Sequence, residues 1–290
     1  MKYKLTDVKI NFMGKTLFQI EAVKCFGDIV KGQKGGFIEK ESNLSQGGGN
    51  AWVSGDAKVY GNAKVSGDAK VYGNAKVSGN AKVYGNAKVS GNAEVYGNAK
   101  VSGDAKVYGN AKVSGNAEVY GNAKVYGNAK VSGNAEVYGN AKVSGNAEVY
   151  GDAEVYGNAK VYGNAKVSGN AEVYGNAKVR GNAEVYGDAE VYGNAKVSGN
   201  AKVYGNAWVS GNAEVYGDAD YLVIGPIGSR NDITTFFKTA NNDIKVSCGC
   251  FTGTIEEFLE KVNETHGNNN YAKEYKTAVE IAKIHIFGGE

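Results

Sequence analysis

Four residues of zinc-ligand type, Cys248, Cys250, His266 and His285, fall within forty positions near the C-terminus. A structural zinc needs four thiolate or imidazole ligands that converge tetrahedrally. Cys-x-Cys on a strand instead sets both thiols on one face beside Val246, the pattern of a small core, so no metal site is assigned. The two histidines, the only ones in the chain, fall on or beside helical segments as surface or packing residues. A second constellation combines Gly228-Ser229-Arg230-Asn231-Asp232, which holds one of two arginines, with Thr252-Gly253-Thr254. Thr254 opens a helix whose free backbone N–H groups and dipole favour negative charge. If the loops converge, Ser229, Arg230, Thr252 and Thr254 would bind phosphate, carboxylate or a partner's acidic side chain. Taken separately, Arg230 stabilises a loop and Thr254 is an ordinary N-cap.

The elements that must position these groups form a small α+β domain over residues 219–290. Tyr221–Ile224 reads as a strand and Gly225–Gly228 as a turn holding the only proline. Ile233–Lys238 and Ile244–Cys250 read as a hairpin around Ala240-Asn241-Asn242-Asp243. Thr254 with Glu257 three residues on makes a capping box for a first helix. A second helix is predicted over Tyr271–Ile286, with Ala272, Tyr275, Ala278, Ile281 and Ala282 on its inner side.

Residues 51–218 repeat Ala-(Lys/Glu)-Val-(Tyr/Ser)-Gly-(Asn/Asp), departing from it only at Trp52, Arg180 and Trp208 and with no insertion or deletion, 168 residues in 28 copies. The first four positions alternate in the two-residue period of a strand, with Ala and Val inside. Gly accepts positive φ and Asn or Asp tolerates it, so the pair turns the chain after every short strand. Each copy buries the same two side chains, so stability must come from stacking copies. Residues 1–50 supply a hairpin, Val8–Phe12 and Thr16–Ile20 joined by Met13-Gly14-Lys15. Gly35–Glu39 and Asn43–Ser45 then read as a degenerate first coil, so both flanks cap the array.

Val59 followed four residues later by Ala63 repeats throughout 51–218, and this pattern resembles the hexapeptide-repeat family of left-handed parallel β-helices. The resemblance implies an all-β solenoid in which three copies complete a triangular coil of about 18 residues, hence about nine coils in a rod about 45 Å long, at ~4.8 Å per strand. It also implies trimer formation. Residues 117–152 and 153–188 differ only by Ser144 becoming Arg180, a block of 36 residues, which is two coils and keeps every face in register. The leader is similar to that of bacterial and phage hexapeptide-repeat proteins often described as acyltransferases, whose activity is not assigned by the likeness. Members that are acyltransferases use a histidine base beside a protruding loop on the solenoid. Residues 51–218 contain no histidine, no cysteine and no loop.

With coils of 18, the first face carries a column of eight lysines, Lys70, Lys88, Lys106, Lys124, Lys142, Lys160, Lys178 and Lys196. The third face carries Glu118, Glu136, Glu154, Glu172 and Glu190, with Tyr120, Tyr138, Tyr156, Tyr174 and Tyr192 alongside. The second face shows no usable order of Lys and Glu. Two readings stand for these columns: copies left by duplication and screened by salt, or matched stripes through which identical molecules assemble.

The net charge of +3 argues against a nucleic-acid partner. The N-terminus has no apolar signal region, no stretch reaches membrane-spanning length, and three cysteines suit a reducing compartment, so the protein is expected to be cytoplasmic. The sequence therefore reads as a non-enzymatic scaffold or binding protein whose partner is a further copy, a macromolecule or a small anion, with no cofactor. A divergent acyltransferase using His266 or His285, and a glycan- or nucleotide-binding solenoid working through its Tyr column, are the alternatives.

Overall fold

The computed structural model describes residues 1–217, 220–239 and 241–288. The boundary drawn between 218 and 219, and Ala240 of the predicted hairpin turn, lie outside the described residues. The chain is a parallel β-solenoid followed by an antiparallel sheet and two helices. It divides into two compact units, Met1–Gly157 and Asn158–Glu290.

In the first unit, β1 (Tyr3–Phe12) and β2 (Lys15–Ala22) form an antiparallel hairpin, in which β1 starts earlier than the predicted Val8 and β2 extends past both ends of the predicted Thr16–Ile20. The turn is Met13-Gly14, both at positive φ. β2 pairs antiparallel with β3 (Lys34–Ile38), and β3 pairs in parallel with the rung Lys58–Val59, with Phe37 opposite Lys58. Asn43 secures the same segment by donating to the carbonyls of Gly61 and Ala63 at 3.1 and 2.9 Å. The degenerate coil is therefore a true layer of the stack.

Each repeat contributes a rung of two residues, Lys or Glu followed by Val except for Trp52–Val53 and Trp208–Val209, and successive rungs of a face are in register 18 residues apart, as in Lys88 opposite Lys106 and Val89 opposite Val107. The coils are tied by backbone bonds such as Lys106 N–H to Ala123 O at 2.9 Å and Tyr108 N–H to Val125 O at 3.0 Å. Alanines and valines of the repeat are buried almost without exception, so the interior is a dry stack of small side chains.

At the corners the sequence reading needs one correction. Glycine alone takes the positive φ; among the described residues the non-glycine cases are Met13, Asn231 and Asn242, none in the repeat. Gly115 has φ +68°, and a Cβ there would sit 2.8 Å from the carbonyl oxygen of Gly133 in the next coil. The corner demands glycine for its backbone angle and again for its stacking.

In the second unit, rungs from Lys160–Val161 to Glu214–Val215 stack in the same manner. Four antiparallel strands follow, β4 (Tyr221–Ile227), β5 (Asp232–Lys238), β6 (Ile244–Cys248) and β7 (Phe251–Thr254), in that order across the sheet. Pro226 lies inside β4 and the turn comes later, at Gly228–Asn231; β7 is a strand where the sequence suggested only a loop. Helices α1 (Ile255–His266) and α2 (Asn270–Phe287) pack on one face of this sheet through Phe236, Val246, Phe258, Val262, Tyr275 and Val279. The inner side of α2 also differs: Ile281 is 47% exposed, and Val279 and Ile286 are buried instead. The opposite face of β5 meets the last rungs. Thr235 Oγ1 accepts from Trp208 N–H at 3.2 Å, and Thr239 bridges Ala213. The sheet thus covers the last rungs and satisfies the Trp208 amide.

Candidate functional site

The three faces of the solenoid handle charge in different ways. On the second face, each glutamate stands next to a lysine one coil away: Glu94 contacts Lys76 at 3.0 Å and Lys112 at 3.5 Å, Lys130 contacts Glu148 at 2.7 Å, and Lys166 contacts Glu184 at 3.6 Å. Lys76, donating a hydrogen bond, is the main reason the Glu94 carboxyl is held below its ordinary value. The second face, which shows no usable order in the sequence, is thus an ion-paired ladder in which each glutamate is flanked by lysine.

On the third face, Lys100 pairs with Glu118 at 2.6 Å. Beyond it, Tyr120 donates its hydroxyl to Glu136 Oε2 and Tyr138 to Glu154 Oε2, both at 2.7 Å; in the second unit Tyr174 donates to Glu190 Oε2 at 2.8 Å. The rings of Tyr120, Tyr138 and Tyr156 stack with centroids 4.9 Å apart. Burial, and then the hydrogen bond to glutamate, push the Tyr120 and Tyr138 hydroxyls well above their ordinary range, so they remain neutral donors. The faces that a sugar or base would stack on are turned toward neighbouring tyrosines.

The first face stays unneutralised over much of its length. Lys70 reaches Asp28 at 2.8 Å, and Lys196 pairs with Glu214 in the second unit. Among the described residues, Lys88, Lys106, Lys124 and Lys142 of the first unit, and Lys160 and Lys178 of the second, have no carboxylate at ion-pair distance. The stacked rings of Tyr108 and Tyr126 lie beside this row, 4.9 Å apart.

The corners carry a further feature that sequence reasoning missed. Asparagine side chains form ladders in which Nδ2 donates to Oδ1 of the asparagine 18 residues on, as in Asn80 to Asn98 at 3.1 Å and Asn98 to Asn116 at 2.9 Å. Aspartate accepts from below, as Asp104 does from Asn86 at 2.9 Å, and has no proton to pass upward. The Asn/Asp alternation in the repeat was the available signal, and its meaning depends on the coil length.

In the C-terminal domain the four predicted anion-binding residues separate. Strand alternation places Cys248 and Phe251 on the helix side of the sheet, whereas Ser247 opposes Thr252 and Lys245 opposes Thr254 on the other side. Thr254 is occupied as an N-cap: its hydroxyl accepts from Glu257 N–H, and its own N–H donates to Glu257 Oε2 at 2.8 Å. Thr252 Oγ1 lies 3.5 Å from Ser247 Oγ. Ser229 and Arg230 instead border a cleft of about 280 Å³ on the helix side. There His266 Nε2 is 3.4 Å from Ser229 Oγ, and the floor is Phe251, Phe258, Val262 and Tyr275. Cys248 and Cys250 both border this cleft, but Cys250 is exposed in the β6–β7 turn and does not join the core. His285 is elsewhere, beside Tyr204, Tyr221 and Leu222. Among the described residues no cluster of three or more metal-ligating side chains occurs, and no helix is long and apolar enough to cross a membrane.

Residues 195–211 match the family model described as the YdcK beta-solenoid repeat. The chain matches no curated protein. The matched segment is similar to that repeat and coincides with stacked rungs of the second unit, and together these findings make the chain a β-solenoid repeat protein.

Proposed function

We propose that the protein is a non-enzymatic structural scaffold that binds further copies of itself, the lysine face of one molecule lying against the glutamate face of the next. One observation carries this reading: among the described residues Lys106, Lys124 and Lys142 have no carboxylate at ion-pair distance, while Glu118, Glu136 and Glu154 occupy the same three coils on another face. Both columns are cut from the same coils. Their spacing, ~4.8 Å per strand, is therefore identical by construction, and a match at one coil is a match at all of them. Contact between two different faces either closes into a ring or continues as a filament. Exposed pairs are individually weak, so the strength comes from repetition and falls with salt.

The test uses two double variants that remove charge without reversing it. Glu136→Gln with Glu154→Gln retains the lysine face, and Lys124→Gln with Lys142→Gln retains the glutamate face. In sedimentation velocity at low salt, wild type associates, each variant alone is a monomer, and an equimolar mixture forms a 1:1 dimer that grows no further. A wild type that stays monomeric, or variants that associate as wild type does, would reject the proposal.

A second reading, acyl transfer in the C-terminal cleft, is favoured by the approach of His266 Nε2 to Ser229 Oγ. It predicts release of free thiol from acetyl-CoA in the presence of an acceptor, lost in His266→Ala; no turnover by wild type removes this reading.

A further inference from the structure

The cleft beside Arg230 is built more carefully than a surface loop requires. The turn carrying it is anchored to α2, because Gly228 N–H donates to Glu274 Oε2 at 2.7 Å and Gly228, at φ +72°, leaves room for the Tyr275 hydroxyl, which would lie 1.9 Å from any Cβ. The guanidinium itself rests over Gly249, where an added Cβ would stand 3.0 Å from Nη1. Two glycines from different turns thus clear space for Tyr275 and Arg230. Among the described residues Arg230 has no ion pair: Glu274 is turned to the Gly228 amide, and Glu264 pairs with Lys261.

The cleft that Arg230 borders is lined largely by aromatic rings. Phe251 and Phe258 have ring centroids 5.5 Å apart, Phe258 and Tyr275 meet edge to face at 5.4 Å, and the His266 ring lies 5.9 Å from that of Tyr275. Ser229 Oγ and His266 Nε2 add hydrogen-bonding groups at the rim. An arginine fork bordering a cleft lined by aromatic rings is suited to an anionic head on a flat apolar body.

We propose that this cleft is a binding site for ring-bearing anions, carboxylates or phosphate monoesters attached to an aromatic group, with Arg230 holding the anion and Phe251 and Phe258 the ring. The site is independent of the self-assembly described above, and its ligand needs no covalent step. The experiment titrates the full chain with phenyl phosphate, benzoate and inorganic phosphate, followed by calorimetry and by the side-chain NMR signals of His266 and Arg230. Phenyl phosphate and benzoate should bind at least tenfold more tightly than inorganic phosphate and shift both signals. Arg230→Gln should weaken both by tenfold or more, whereas Phe251→Leu should weaken the aromatic probes and leave inorganic phosphate unchanged. Retained binding in Arg230→Gln, equal affinity for inorganic phosphate, or no binding of either aromatic probe at millimolar concentration would overturn the assignment. Preference for one aromatic probe over the other identifies the head group.

Discussion

The hydroxyl of Tyr138 donates to Oε2 of Glu154 at 2.7 Å, linking one coil to the next across the outside of the solenoid. The same contact joins Tyr120 to Glu136, so a tyrosine column and a glutamate column are stitched into one surface. Glutamates stacked in line repel one another, and a neutral donor at each coil offsets part of that cost.

Replacing Tyr138 by Phe keeps the ring stack and deletes the donor. Chemical denaturation should show a loss of about 1 kcal/mol. The pH dependence has a definite sign. Folding raises the Tyr120 and Tyr138 hydroxyls above the ordinary tyrosine value of about 10. The unfolded chain therefore ionises first, so the stability they supply is complete below pH about 10 and declines as pH rises beyond it. Titration of stability between pH 9 and 11 should show a shallower decline in Tyr138→Phe than in wild type.

The asparagine ladders predict an asymmetry between two amide changes. Asn98→Asp still accepts from Asn80 but cannot donate to Asn116, and should cost about 1 kcal/mol. Asp104→Asn restores a donor facing Asn122 and should stabilise by up to the same amount. Denaturation midpoints of the two variants should move in opposite directions.

Gly115→Ala tests the corner. Positive φ costs an L-residue about 1–2 kcal/mol, and the new methyl would press on the Gly133 carbonyl at 2.8 Å. The melting temperature should fall more than for Gly14→Ala in the β1–β2 turn, where φ is +74° but nothing lies within 4 Å.

Thr235→Val removes the acceptor for Trp208 N–H while keeping the shape of the side chain. An orphaned backbone donor costs about 1–3 kcal/mol. Hydrogen exchange at the Trp208 amide should accelerate, and the amide of Val107, a rung of the first unit, should keep its wild-type rate.

Much of this protein is written in the repeat itself. Alternation of Ala, Lys or Glu, Val and Tyr or Ser sets which atoms face inward, and glycine at every sixth position sets where the chain turns, since both follow from the backbone of a single copy. The capping box of Thr254 and Glu257 is equally local, and it was legible for the same reason. What single copies could not reveal is what stands 18 residues away. The Lys76–Glu94–Lys112 ion pairs, the Asn98–Asn116 ladder and, at a separation of 16, the Tyr138–Glu154 bond exist only because a coil closes and brings these positions within 3.5 Å of one another. The same limit governed the candidate site. Ser229, Arg230, Thr252 and Thr254 share a chemistry, but β7 is a strand, and its period of two sends Thr252 to the face opposite the cleft. Residue type determined what each group could bind; sheet pairing and coil closure decided which groups meet, because contacts between segments depend on register, and register is fixed by the burial of the whole fold.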